Sequence, residues 1–314
     1  MPTPAELRFT THAGTVVNLD SYVRLDGFGT PPLNVRTRQA PQSAGATISQ
    51  VQPRLRQMVV TVLVEASNTP QTAAQLQTQI QRLAADLLIT QGGQQQRLGI
   101  LEWYGFNDER RQIQCGVTSG FESIANVGPF AAEVAIRFTA PRPFWFSPAQ
   151  TVMGPVATMV GGDSPILGGD VGTDPSGDSL PWTLGLDRQM SISTLANAGD
   201  ALVDSLEVSI VGPAVNPLLW NRSDPLGRLL QFDGVLNTGD VLTVKMGSSV
   251  DNPDGWKATT DDGADWTSAY RLNSRPIALL PGANQIVYAE DLTTTDPTST
   301  VTFRYRNHYL GVGV

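Results

Sequence analysis

Cysteine, histidine and lysine are almost absent from this chain. It holds one cysteine, Cys115, and two histidines among its 314 residues, and its only lysines are Lys245 and Lys257. One thiol excludes an intramolecular disulfide framework and any Cys-rich metal site. With His12 and His308 at opposite ends of the chain, the usual tetrahedral zinc site is excluded too. No apolar run reaches the ~18 residues that a membrane-crossing helix needs. Met1 to Asp20 shows no basic segment followed by an apolar core, so no secretory signal is expected. Charge is also scarce, at 16% of residues, and its balance of 21 − 29 gives −8 with a pI near 4.8. An acidic chain of this kind lacks the clustered cations that grip phosphate, so nucleic acid and anionic membranes are disfavoured as ligands.

Catalytic inventories are equally thin. A Ser-His-Asp or Cys-His site needs a histidine beside a nucleophile and an orienting acid. Both His12 and His308 are expected to be solvent-facing strand residues, and no G-x-S-x-G elbow occurs. Gly27-Phe28-Gly29 runs into Thr30-Pro31-Pro32, which forbids the helix start of a dinucleotide cradle. Asp251, Asp254, Asp261, Asp262 and Asp265 crowd one loop region. Their spacing does not fit an EF-hand, so a solvated acidic loop is expected. No carboxylate is paired with an apolar wall that would prepare it for glycoside hydrolysis. The chain is therefore expected to be no enzyme and to need no cofactor.

Alternation of apolar and polar residues is the dominant signal, and it marks half-buried strands. From Phe130 to Thr139, Phe130, Ala132, Val134, Ile136 and Phe138 share one face. Leu98 to Phe106 and Gln112 to Val117 form a hairpin across Asn107-Asp108, and Met58 to Val64 reads as a central strand. One helix stands out. Thr69 caps it, Pro70 opens it, Leu76, Ile80, Leu83 and Leu87 form its apolar stripe, and Gly92-Gly93 ends it. Its other face is Gln-rich, which makes Gln75 and Gln79 candidates for packing between subunits. Beyond residue 150 the pattern is short strands between turns, as in a β-sandwich. The expected fold is mainly β with one principal helix. The domains are expected at 1–153 and 182–314, with a Gly/Asp-rich linker at 154–181.

Aromatic residues supply the remaining candidates. Phe144, Trp145 and Phe146 are consecutive and cannot all face one sheet's core, so they mark an interface with another domain or subunit. Trp256, Trp266 and Tyr270 are candidates for glycan stacking, with the two tryptophans expected to be the more exposed in their Gly- and Asp-bearing loops.

The landmarks have a recognisable order. An N-terminal strand set and Asp26-Gly27-Phe28-Gly29-Thr30-Pro31 come first, then a strand led by Arg54 and Arg56, the Gln-rich helix, the hairpin, and a strand closing on Ala140-Pro141-Arg142-Pro143-Phe144-Trp145-Phe146. Asn197-Ala198-Gly199-Asp200, Leu206 to Pro213, Asn216-Pro217, Leu236 to Asp240 and Leu280 to Asn284 follow. In this order the chain resembles the distal tail proteins of siphophages, with Arg142 where that family often has an acidic residue. The resemblance implies an N-terminal ring-forming domain and a C-terminal galectin-like β-sandwich. It also implies a homohexameric ring at the distal end of the virion tail, assembled in the host cytoplasm. Its partners would be the tail tube protein, the tail-tip hub protein and a receptor-binding protein, with DNA only in transit through the lumen. A conduit should not hold DNA, so an acidic lining is expected. Two alternatives stay open: a carbohydrate-binding module of the tail tip, and a hydrolase of surface polysaccharide.

Overall fold

The computed structural model describes residues 6–38, 47–65, 73–88, 98–105, 109–121, 124–128, 131–158, 188–247, 255–271, 274–291 and 299–312. The chain forms two units, one of Met1–Pro148 together with Tyr309–Val314, the other of Ala149–His308.

The first unit contains β1 (Glu6–Thr10), β2 (Val16–Asn18), β3 (Tyr22–Asp26), β4 (Leu33–Arg38), β5 (Thr47–Pro53), β6 (Arg56–Glu65), α1 (Ala73–Leu88), β7 (Gly99–Tyr104), β8 (Arg110–Ser119), β9 (Ile124–Gly128), β10 (Ala131–Ala140) and β11 (Trp145–Phe146). Its main sheet runs β2-β1-β7-β8-β10-β6-β3. The two ends of that order, β2 and β3, are joined only by Leu19-Asp20-Ser21. So short a link spans roughly 14 Å at most, so the sheet must curl until its end strands approach. Strand β8 makes the turn. Its first residues pair with β7 and its last with β10, across a register shift between Arg137 and Phe138.

Curling places one face inside. Leu7, Phe9, Leu101, Trp103, Ile113 and Cys115 from one stretch of the sheet meet Met58, Val60, Val62, Val134, Ile136 and Phe138 from the other. The alternation expected in β10 holds from Ala132 onward, and Phe130 lies outside the described residues. Burial pushes the Cys115 thiol well up, which leaves it a small hydrophobe. Helix α1 packs on β2, β6 and β10 through Leu76, Ile80 and Leu87, while Gln77, Gln79 and Gln81 are exposed. Thr69, Pro70, Gly92, Gly93 and the side chain of Gln75 lie outside the described residues.

The second unit holds β12 (Thr151–Ala157), β13 (Arg188–Asn197), β14 (Glu207–Val211), β15 (Ala214–Val215), β16 (Leu218–Asn221), β17 (Leu229–Gln231), β18 (Val235–Leu236), β19 (Val241–Lys245), β20 (Lys257–Thr260), β21 (Gly282–Asp291) and β22 (Thr300–Tyr305); β23 (His308–Tyr309) carries the chain back to the first. The sheets β12-β22-β14-β19-β20 and β13-β21-β16-β17 share one core, in which Val208, Ile210, Val244 and Phe303 meet Leu195, Leu219, Leu230 and Ile286. That arrangement is a β-sandwich, and no α-helix occurs past residue 150 among the described residues.

Three sequence expectations need revision. Residues 154–157, assigned to a linker, continue β12 in register with β22, while 159–181 lie outside the described residues. The last residues, assigned to the second domain, belong to the first unit, because Val312 is buried in its core and donates its N–H to the Phe28 carbonyl at 3.2 Å. Gly311 meets the backbone of Gly29 so closely that a Cβ there would lie 2.9 Å from the Gly29 carbonyl carbon. Finally, the acidity is not shared. Basic minus acidic side chains give 12 − 10 = +2 in the first unit and 9 − 19 = −10 in the second. The net charge therefore lends no support to an acidic lining built from the first unit.

Deleting residues 309–314 should lower the unfolding transition of the first unit by about 5–10 °C, as expected for roughly 2–4 kcal/mol in a domain of this size. The transition of the second unit should stay in place. Differential scanning calorimetry checks this; two unchanged transitions would show that the tail is not part of the first unit's stability.

Candidate functional site

The aromatic run is consumed by the first unit. Trp145 is fully buried and Phe146 nearly so, while Phe144 is half-buried. Trp145 packs against Phe28, ring centroids 5.6 Å apart, and Phe28 in turn against Trp103 at 6.3 Å. Arg56 lies beside them, wholly buried, with its guanidinium carbon 6.0 Å from the Trp145 ring centre. One of its terminal nitrogens donates to the Phe28 carbonyl at 3.4 Å and the other to the carbonyl of Leu310. Burial pulls this arginine down to about 10. Arg111 extends the clamp by donating to the Gly311 carbonyl, with its guanidinium 4.1 Å from the centre of the Tyr309 ring. The sequence pointed to the aromatics as an interface; the structure makes two of the three an internal seat for the chain's own tail. Arg56 and Tyr309–Val312 were not singled out, and an arginine heading an apolar strand was the available signal.

In the second unit the three glycan candidates come together. Trp256 lies parallel to Phe232 at 6.4 Å, and Tyr270 meets Trp256 edge-on at 5.1 Å. Trp266 tilts onto Phe232 at 6.4 Å and covers Gly234, where a Cβ would come within 2.7 Å of the indole. The Tyr270 hydroxyl donates to the Ser274 carbonyl. Trp256 and Trp266 were expected to be exposed; both are half-buried, because they close one end of the sandwich core around Phe232. Gln79 is exposed on α1, and no element brings it to these aromatics.

His308 was expected to face solvent and instead is buried. Its Nδ1 lies 2.9 Å from the Leu202 carbonyl and its Nε2 3.3 Å from the Ser205 hydroxyl. Nδ1–H donating to that carbonyl leaves Nε2 to accept from Ser205. The contact on Nδ1, which a carboxylate makes in a catalytic triad, is made by backbone, so the pair knits the last strand to residues 202–205. His12 is exposed as expected.

The acidic loop is also local structure. Asp261 accepts from the Val241 N–H at 3.2 Å, and Asp265 from the Thr267 N–H at 2.8 Å. Asp262 accepts from the Thr260 hydroxyl at 2.5 Å and the Ala264 N–H at 3.1 Å. Hydrogen bonds hold Asp262 and Asp265 below the usual carboxylate range. No cluster of three metal-ligating side chains occurs among the described residues, and Asp251 and Asp254 lie outside them.

One acidic residue behaves differently. Glu290 on β21 is buried and accepts from the hydroxyls of Ser299 at 2.5 Å, Thr158 at 3.1 Å and Tyr288 at 3.0 Å. Desolvation by burial pushes its carboxyl up, and the same burial, with the Glu290 charge adding to it, pushes Tyr288 well up. Period two carried the signal: Asn284, Ile286, Tyr288 and Glu290 alternate onto one face of β21, so an acid was due at a buried position.

Two units of this kind, a curled β-unit with one helix and a β-sandwich, make the mainly-β fold of a phage tail-hub protein. The particular likeness is to the Dit protein of phage SPP1, described as a paradigm of the hub adsorption apparatus in phages that infect Gram-positive bacteria. The TM-score is 0.60 and the identity 14%, over 97% of this chain and 99% of that one. The chain is also similar to a protein of the phage P2 baseplate in its activated conformation with Ca, at TM-score 0.42 and 10% identity over 97% and 98% of the two chains. With Sr the same baseplate gives TM-score 0.40 and 9% identity over 95% and 97%. No family model and no curated protein matches the sequence.

A carboxyl raised by burial stabilises the fold while it keeps its proton. That contribution is complete below the ordinary glutamate range and is lost as pH climbs through the raised value. Glu290→Gln should therefore melt above the parent at pH 8, by a few °C at about 2–4 °C per kcal/mol, and converge with it near pH 4. A variant that melts below the parent at both pH values would show that Glu290 is stabilising as a carboxylate.

Proposed function

We propose that this chain is a distal tail protein: a structural virion component that forms a homohexameric ring at the end of a siphophage tail. The observation that carries the proposal is the end-to-end likeness to SPP1 Dit, which spans both units and leaves almost none of either chain unmatched. In this role the first unit makes the ring and joins it to the tail tube protein, and the second projects from it. The opposite face of the ring holds the tail-tip hub protein and, through it, a receptor-binding protein. DNA passes the lumen only at ejection. A non-catalytic role agrees with the chemistry of the described residues. His308, the acidic loop and Glu290 all have structural hydrogen bonds, and no preorganised nucleophile joins them.

A second reading rests on the convergence of Trp256, Trp266 and Tyr270, which would give the second unit an aromatic surface for sugar. Much of that ring area is taken up by Phe232 and by the aromatics themselves, so the structural role is favoured.

Negative-stain electron microscopy and native mass spectrometry of the purified full chain should show six-fold rings with a central hole and a mass six times that of the 33.7 kDa protomer. Particles of another symmetry would sink the ring. Saturable glycan binding that disappears in Trp256→Ala would move the assignment to carbohydrate recognition.

A further inference from the structure

Strands β4 and β5 are hydrogen-bonded to each other and, among the described residues, to no strand of the main sheet. A lone two-stranded ribbon is marginally stable in water, because it buries little of what it orders. This one keeps apolar side chains outside: Leu33 is 51% and Val35 48% exposed, and Leu55, just past its base, 51%. Its base springs from the start of β6, next to β3, where Val23 is 51% exposed. Strand β3 is an end strand of the sheet, with β6 as its single partner among the described residues. Four of the ten large hydrophobic side chains that stand exposed among the described residues thus fall on this one flank, and Val16 on β2, the other end strand, adds a fifth. Scattered apolar residues on a surface need no explanation, but a contiguous set beside an open strand edge marks an interaction surface.

We propose that this flank, centred on Leu33, Val35, Leu55 and Val23, docks onto a second copy of this chain in a head-to-tail contact. Charge decides the geometry. Arg24, Arg36 and Arg54 sit among these residues against the single acid Asp26. A two-fold contact would set this cationic flank against itself, and like charges juxtaposed at an interface disfavour that pairing. A contact with a different surface of the neighbour escapes the repulsion, and a heterologous contact whose rotation closes builds a ring. The ribbon then gains its third layer from the neighbour. This inference rests on the ring proposed above and names the surface that closes it.

The test is a full-length Leu33→Asp/Val35→Asp variant, read by native mass spectrometry, microscopy and calorimetry. Both positions are exposed in the protomer, so its melting transitions should stay within about 2 °C of the parent. Two carboxylates at a buried contact should raise the concentration needed for assembly by about 100-fold or more. A heterologous contact predicts something further: the variant keeps its receiving surface, so mixing it with the parent should give truncated, open oligomers. A two-fold contact would instead leave the parent's assembly untouched. Parent and variant forming rings equally well would overturn the docking surface and leave the ring standing. Parent assemblies of another symmetry that the variant abolishes would uphold the surface and overturn the ring. A parent that stays monomeric at every concentration would overturn both.

Discussion

One buried cation organises the first unit. Arg56 begins β6, yet its side chain is wholly inside, and taking a guanidinium out of water costs several kcal/mol unless donors are matched and the charge is eased. The matching groups come from far apart in the chain. They are the carbonyl of Phe28 before β4, the carbonyl of Leu310 after the entire second unit, and the face of Trp145 where the first unit would otherwise end. None is a carboxylate, so the charge is eased by dipoles and a ring quadrupole and not cancelled. Such an arrangement is stable only when all its parts arrive. The unit is therefore not complete at Pro148: it holds a place for residues that are made last, and the second unit is in effect inserted into the first.

The second unit meets the same constraint with the opposite sign. Glu290 is buried among hydroxyls from β12, β21 and the residue before β22, and its charge is relieved by holding on to a proton. The two solutions differ for a plain reason. Arginine stays protonated even after a sizeable downward shift, so it needs acceptors, whereas a carboxyl can become neutral within the physiological range. Buried polar groups of either kind tie together segments that apolar packing alone would leave free to slide, since each accepts few geometries. In both units the tie is made at the place where the chain enters or leaves.

What could be read from the sequence divides along the same line. Period-two patterning is a local property, so β10, the β7–β8 hairpin and the stripe Leu76–Ile80–Leu83–Leu87 were legible, and so was the sandwich beyond residue 150. Strand β12 was not, because Gly154 and Pro155 read as a breaker where the ladder merely shifts register. The clamp was not legible either. Gly311-Val312 carries no pattern, and an arginine is expected outside unless its acceptors are known to be at hand. Phe144-Trp145-Phe146 shows the same limit. Three adjacent aromatics cannot share one sheet face, which holds, but the unit solved the problem with a two-residue strand and a tail seated against the rings, not with a second subunit.

The segregation of charge bears on the role of each unit more than the total does. A net −8 spread over the chain would describe a molecule that repels phosphate everywhere. The actual division, +2 and −10, describes a near-neutral first unit carrying a second one that is strongly acidic. A near-neutral surface is the better one for close packing between identical copies, because self-repulsion grows with the square of the charge brought together. Apolar side chains at the β3–β5 flank then have a partner to meet without a large electrostatic cost. The acidic unit is suited to the opposite task of staying apart from its equals. Six copies at −10 would repel one another as they project from a shared ring, and that repulsion weakens as salt screens it over a Debye length of about 10 Å. Sequence composition averaged these two behaviours into one number, and only the fold separates them.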